Sequence, residues 1–71
     1  MSDRVGSTIQ ALRKRRKMTQ MDLAVECGIR ENRVSWIETE RAKPTQDELR
    51  SIARVLKVPV KKIIEISETE W

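Results

Sequence analysis

The sequence predicts an all-α fold, and three observations carry that expectation. Apolar residues recur at helical spacing in successive short segments, as in Val5, Ile9 and Leu12 and again in Leu49, Ile52, Ala53 and Leu56. Two capping boxes, Thr19 with Asp22 and Thr45 with Glu48, mark places where a helix begins. Gly28 and Pro59 stand between apolar segments, where a helix must stop. No repeat, low-complexity stretch or linker divides the 71 residues, so one domain spanning 1–71 is expected.

The first helix is expected from about Arg4 to Arg16, with Val5, Ile9 and Leu12 on one face and Met18 closing its end. It finishes in five consecutive cations, Arg13 to Lys17, at the end of the helix dipole that favours positive charge. A second helix opens at Thr19, whose hydroxyl and the Asp22 carboxylate can satisfy free amides of the first turn. Leu23, Ala24 and Cys27 form its apolar face. Gly28 ends it in the left-handed conformation that glycine adopts without a Cβ penalty, and Ile29 is expected as the buried residue of the turn. From Arg30 a third helix turns Val34 and Ile37 inward and leaves Glu31, Asn32, Ser35 and Trp36 on other faces. Thr45 opens a fourth, and Pro59 a fifth in which Val60, Ile63 and Ile64 face inward and Lys61 and Lys62 outward. Residues 67–71 are expected to form a flexible tail.

Residues 19–38 read as a helix-turn-helix. Gln20, the small Ala24, Gly28, Val34 and Ile37 fall at mutually consistent offsets, each with a steric reason. Ala24 sits where the two helices cross closely, and Val34 and Ile37 must reach under the first to close the core.

On these residues the chain resembles the Cro/C1-type, XRE-like helix-turn-helix domains of phage repressors and bacterial regulators. Thr19-Gln20, Leu23-Ala24, Gly28, Val34-Ser35, Ile37-Glu38, Pro44 and Ile52-Ala53 all stand where that family places such residues. The resemblance implies a compact bundle of five short helices, a lambda-repressor-like DNA-binding domain, folded over about residues 4 to 66. It also implies that Arg13 reaches Glu38, locking helix to helix and orienting the arginine near a phosphate, and that Gln20 contacts the DNA backbone and braces the recognition helix. Two positions depart from the family. Glu40 stands where relatives have glycine, so either it bears left-handed strain of about 1 kcal/mol or the third helix runs further before turning. Trp36 stands one residue before the position where the family often has a core tryptophan, here Ile37.

Composition agrees with a polyanionic partner. Of 15 Lys and Arg, 10 precede Pro44, against 6 of the 11 Asp and Glu, so the positive excess lies in the amino-terminal half. A chain this short buries only about 60% of the surface its unfolded form exposes, which argues against a deep catalytic cleft. It has no histidine and a single cysteine, so neither a zinc site nor an intrachain disulfide can be built, and no metal, cofactor or small-molecule effector is expected. Cys27 reads as a buried, inert thiol. With no apolar run of about 18 residues and no signal peptide, the chain is expected to be cytoplasmic.

The helix from about Arg30 to Thr39 is therefore expected to enter the major groove. Arg30, Glu31, Asn32 and Trp36 are the candidate base readers, since Arg pairs with guanine, Asn with adenine and Glu with the cytosine amino group. For Trp36, contact with a thymine methyl, contact with the sugar backbone, or folding onto a neighbour's aliphatic stem all remain open. Thr19, Gln20, Arg13, Arg33, Ser35, Arg41 and Lys43 are the candidate phosphate contacts. Arg30 is a poor residue for the cap of that helix. A homodimer on a palindromic operator in double-stranded DNA is expected, with Ile63, Ile66 and Trp71 as candidates for its interface. The function expected is transcription regulation, by repression, with no enzymatic activity. A protein-interaction module, such as an antitoxin or antirepressor-like partner using the basic surface or the outward pair Met21 and Val25, is the alternative.

Overall fold

The computed structural model describes residues 4–69. It contains five helices: α1 (Val5–Arg15), α2 (Gln20–Cys27), α3 (Glu31–Glu38), α4 (Gln46–Leu56) and α5 (Val60–Thr69). They pack into a body of 30 × 23 × 21 Å. Helix α2 crosses α3 and α4, α1 lies against α3, α4 and α5, and α4 meets α5. Each amphipathic face thus closes on one shared core, in which Ile9, Leu23, Val34, Ile37, Ile52 and Ile63 are fully buried. Ala24, 1% exposed, lets α2 and α3 approach closely.

Both capping boxes form. The Thr19 hydroxyl accepts the Asp22 amide at 3.0 Å while the Asp22 carboxylate accepts the Thr19 amide at 2.9 Å. Thr45 and Glu48 make the same reciprocal pair at 3.1 and 2.8 Å. Gly28 ends α2 at φ 72°, as its position implies. Lys17, Glu40 and Lys57 also take positive φ, at 59°, 64° and 60°, just beyond α1, α3 and α4. Each left-handed non-glycine residue costs roughly 1–2 kcal/mol. Of the two possibilities at Glu40, the strained one is realised: α3 stops at Glu38 and Glu40 turns the chain.

Glu40 also does something that its place in the sequence does not suggest. Its carboxylate accepts the Ser7 amide at 3.0 Å and the Ser7 hydroxyl at 3.3 Å. Arg4, at the N-cap of α1, makes no capping bond with its side chain, so Glu40, 33 positions beyond Ser7, supplies the acceptor for the first turn. The approach depends on Gly6, where a Cβ would overlap the carbonyl oxygen of Ile37.

At the other end of the chain α5 continues to Thr69, past the expected boundary at 66. Ser67, expected in a loose tail, is 3% exposed. Its Oγ donates to the Ile63 carbonyl at 2.7 Å and stands 3.0 Å from Thr8 Oγ1, closing α5 onto α1 with a buried polar contact. Ile63 is fully buried, which removes it from a dimer surface; Ile66 is half-buried, and Trp71 lies outside the described residues. Cys27 is half-buried rather than enclosed, and that partial burial pushes its thiol above the ordinary value. Among the described residues no helix is long and apolar enough to cross a membrane.

Candidate nucleic-acid interface

The site is built on a buried ionic lock. Arg13 projects from the last turn of α1 and Glu38 from the end of α3; Arg13 Nε donates to Glu38 Oε2 at 2.7 Å and Nη2 to Oε1 at 3.0 Å. The remaining guanidinium nitrogen, Nη1, donates to the Met18 carbonyl at 2.6 Å. Gln20, in the first turn of α2, adds a third donor to the same carboxylate, Nε2 to Glu38 Oε1 at 3.0 Å. Side-chain exposure is 8% for Arg13 and zero for Glu38, so both charges are desolvated and both are satisfied by hydrogen bonds. Three helices are thereby joined at one carboxylate, which ties α3 to α1 and to α2.

The lock takes up the side chains of two residues expected to contact phosphate. Arg13 is consumed by it, with little of the guanidinium left at the surface. The Gln20 side chain meets α3 through Glu38, and its backbone amide remains in the first turn of α2 beside exposed Thr19.

Helix α3 buries Val34, Ile37 and Glu38 and presents the opposite side outward. Arg30, Glu31, Asn32 and Trp36 are all exposed. Asn32 and Trp36, four residues apart, share one face of the helix, with Trp36 45% exposed and outside the buried core. Arg30 at the N-cap makes no side-chain cap bond, so α3 begins as weakly capped as its sequence implies. Ser35 is half-buried and its carbonyl accepts the Thr39 hydroxyl at 2.9 Å, which closes the end of the helix.

Arg33 departs most from expectation. Placed among the phosphate contacts by its sequence position, it instead forms a two-pronged ion pair with Glu48 of α4, Nε to Oε2 and Nη2 to Oε1, both at 2.8 Å. Nη2 also donates to the Lys43 carbonyl at 3.1 Å. The Arg33 hydrogen bond, opposed by partial burial and helped by the Thr45 amide, holds the Glu48 carboxyl below its ordinary value. Sequence reasoning missed Glu48 altogether beyond its cap role, and the signal available was only that its carboxylate had capacity beyond one amide.

Arg41 and Lys43 are exposed on the loop after α3. The loop is folded back on that helix, with the Arg41 and Ala42 amides both donating to the Trp36 carbonyl, at 2.8 and 3.2 Å. Two exposed cations therefore stand on a loop whose backbone is bonded to the last turn of α3.

A helix-turn-helix family model matches residues 9–63. The chain is 35% identical over 60 residues to the immunity repressor protein of Bacillus phage phi105, a match that covers 84% of this chain and 42% of that protein, so the chain spans less than half of the relative. Among solved structures, the biofilm master regulator SinR in complex with DNA superposes with a TM-score of 0.79 at 27% identity, over 83% of this chain and 95% of that one. The clp gene regulator ClgR from Corynebacterium glutamicum shares the fold with a TM-score of 0.91 at 18% identity, over 96% of this chain and 72% of that one. With the family match covering both helices of the motif and the core that carries them, the chain belongs to the Cro/C1-type helix-turn-helix family.

Proposed function

We propose that the chain binds double-stranded DNA in a sequence-dependent way as the DNA-binding domain of a transcription regulator, a repressor, with α3 as the recognition helix in the major groove. The observation that carries this reading is the buried Arg13–Glu38–Gln20 cluster, which fixes α3 while leaving Arg30, Glu31, Asn32 and Trp36 exposed. A reading helix must be rigidly placed and chemically open, and both conditions are met here. SinR, 27% identical and bound to DNA in its crystal structure, and the phi105 immunity repressor support it.

In this reading, Thr19 and the Gln20 backbone at the start of α2, together with Arg41 and Lys43, touch phosphates, while the exposed positions of α3 meet base edges. One helix reads only about four base pairs, so a homodimer on two half-sites roughly 34 Å apart, in a palindromic operator, is part of the proposal. A cytoplasmic location is part of the same proposal.

Selection of bound duplexes from a random pool, followed by a gel shift of the recovered sequence against random duplex, tests it. Enrichment of a symmetric sequence with salt-sensitive binding supports it. Failure to retard any duplex at low salt removes it and leaves a protein-interaction role, for which the exposed pair Met21 and Val25, 49% and 68% exposed, is the feature on offer.

A further inference from the structure

Arg33 is a cation on the recognition helix whose charge is already matched within the protein. Its guanidinium meets the Glu48 carboxylate through two bonds of 2.8 Å, and the same Nη2 donates to the Lys43 carbonyl at 3.1 Å. The side chains are 29% and 18% exposed, so the pair is partly withdrawn from water. Glu48 Oε1 in addition accepts the Thr45 amide at 2.8 Å, which closes the capping box of α4. The Arg33 guanidinium and the Glu48 carboxylate together therefore tie α3, through Arg33, to the Lys43 carbonyl at the end of the basic loop and to the first turn of α4. The other end of that loop is tied to α3 by the Arg41 and Ala42 amides on the Trp36 carbonyl.

We propose that Arg33 and Glu48 are a positioning pair for DNA binding: they hold the backbone of residues 39–44 against α3 so that exposed Arg41 and Lys43 are preset to meet the phosphates flanking the base pairs α3 reads. This rests on the DNA-binding reading above. A loop held in its bound geometry loses less conformational freedom on association than one that must be ordered there. An unbraced loop of lysine and arginine is attracted to DNA equally but places its charges over a wider volume.

The sign of one substitution separates positioning from direct phosphate contact. Glu48→Gln removes a negative charge from the protein, which by charge alone favours DNA, and it frees Arg33 to reach a phosphate. It keeps an amide oxygen for the Thr45 amide, so the cap of α4 survives. If the pair positions the loop, binding weakens in spite of the charge change. Arg33→Lys gives a second, independent arm, since it keeps the charge and the whole capping box but lacks the planar fork that engages Glu48 and Lys43 together.

The experiment measures binding of the full chain to a labelled random duplex by fluorescence anisotropy over a series of salt concentrations. It compares wild type, Glu48→Gln, Arg33→Lys, Lys43→Ala and the Glu48→Gln/Lys43→Ala double variant, with circular dichroism to verify the fold of each. Both pair variants are expected to bind about five- to tenfold more weakly near physiological salt, with the slope of log K against log salt shallower by about 0.9, the loss of one phosphate contact. Lys43→Ala should cost much less in the Glu48→Gln background than in the wild type, because the lysine there is no longer placed. Glu48→Gln and Arg33→Lys binding as tightly as wild type or more so, or Lys43→Ala costing the same in both backgrounds, overturns the pair's role while leaving DNA binding intact. Should Glu48→Gln unfold, Arg33→Lys alone decides. A wild-type chain that binds no duplex overturns the DNA reading itself and the pair's role with it.

Discussion

Arg13 and Glu38, 25 residues apart in sequence, meet as a buried two-pronged ion pair at 2.7 and 3.0 Å. Their value depends on being intact. Two desolvated charges stabilise little relative to a well-packed apolar pair, but removing one strands the other in a site closed to water. Glu38→Ala should therefore destabilise by about 3–5 kcal/mol, where a surface pair is worth roughly 0–1 kcal/mol. Urea denaturation at neutral pH measures it, and a loss within the surface-pair range would mean that the cluster does not lock α3.

This lock was legible in the sequence because both partners sit at positions with a family precedent, and the motif around them was legible because its signals are local. Thr19 with Asp22 needs only three intervening steps of chain, and Gly28 needs only its own backbone angles. Gly6, Glu40, Arg33 and Ser67 were not legible in this way. Each acts through a contact that exists only once distant segments have met: Gly6 with Ile37, Ser7 with Glu40, Arg33 with Glu48, Ser67 with Thr8. Periodicity tells which face a residue occupies but not what stands opposite, so Arg33 read as a free cation and Ser67 as tail.

Gly6→Ala tests the closest of these approaches. Alanine is better than glycine inside a helix by about 1 kcal/mol, so propensity alone predicts stabilisation. The new Cβ, however, would overlap the Ile37 carbonyl oxygen, a backbone atom that cannot rotate away. Overpacking of that kind costs typically 1–3 kcal/mol, and here it should win. A raised melting temperature in Gly6→Ala would show that α1 and α3 can separate freely.

Glu40 carries two opposing contributions, which a pair of substitutions can resolve. Its positive φ costs on the order of 1 kcal/mol, and its carboxylate satisfies the Ser7 amide and hydroxyl. Glu40→Ala keeps the strain and loses the acceptor, whereas Glu40→Gly loses the acceptor but relieves the strain. The alanine variant should therefore be less stable than the glycine variant by about 1 kcal/mol. Equal unfolding midpoints with equal slopes in urea would mean that the left-handed turn carries no cost.

Glu48 supplies a pH dependence of known sign. Its carboxyl is held below the ordinary value, chiefly by the hydrogen bond from Arg33, so the folded state binds the proton less readily than the unfolded one. The stability this contributes is fully present above the ordinary glutamate value and is lost as the pH falls through the lowered one. The gap in melting temperature between wild type and Glu48→Gln should accordingly be constant near neutrality and close in acid. A gap that persists at a pH below the lowered value would place the benefit of Glu48 outside its charge.

The face of α3 that the lock leaves open is tested most sharply at Asn32. Its amide is short and planar, it is exposed, and it shares its side of the helix with Trp36, so it can reach adenine through two bonds in the major groove. Such a contact is worth about 1–3 kcal/mol of discrimination between bases. Asn32→Ala should relax preference at one position of each half-site while leaving binding to random duplex nearly unchanged, because that affinity comes from phosphates. The competing role is support for the first turn of α3, which has no side-chain cap at Arg30. Substitution of an exposed residue with no such role stays within about 0.5 kcal/mol of wild-type stability. Selection from a random pool and a thermal melt on the same variant therefore answer together. A stable variant with a degenerate position in its selected sequence identifies a base reader. An early melt with an unaltered selected sequence assigns Asn32 to the helix and moves the reading of that base to Glu31 and Trp36.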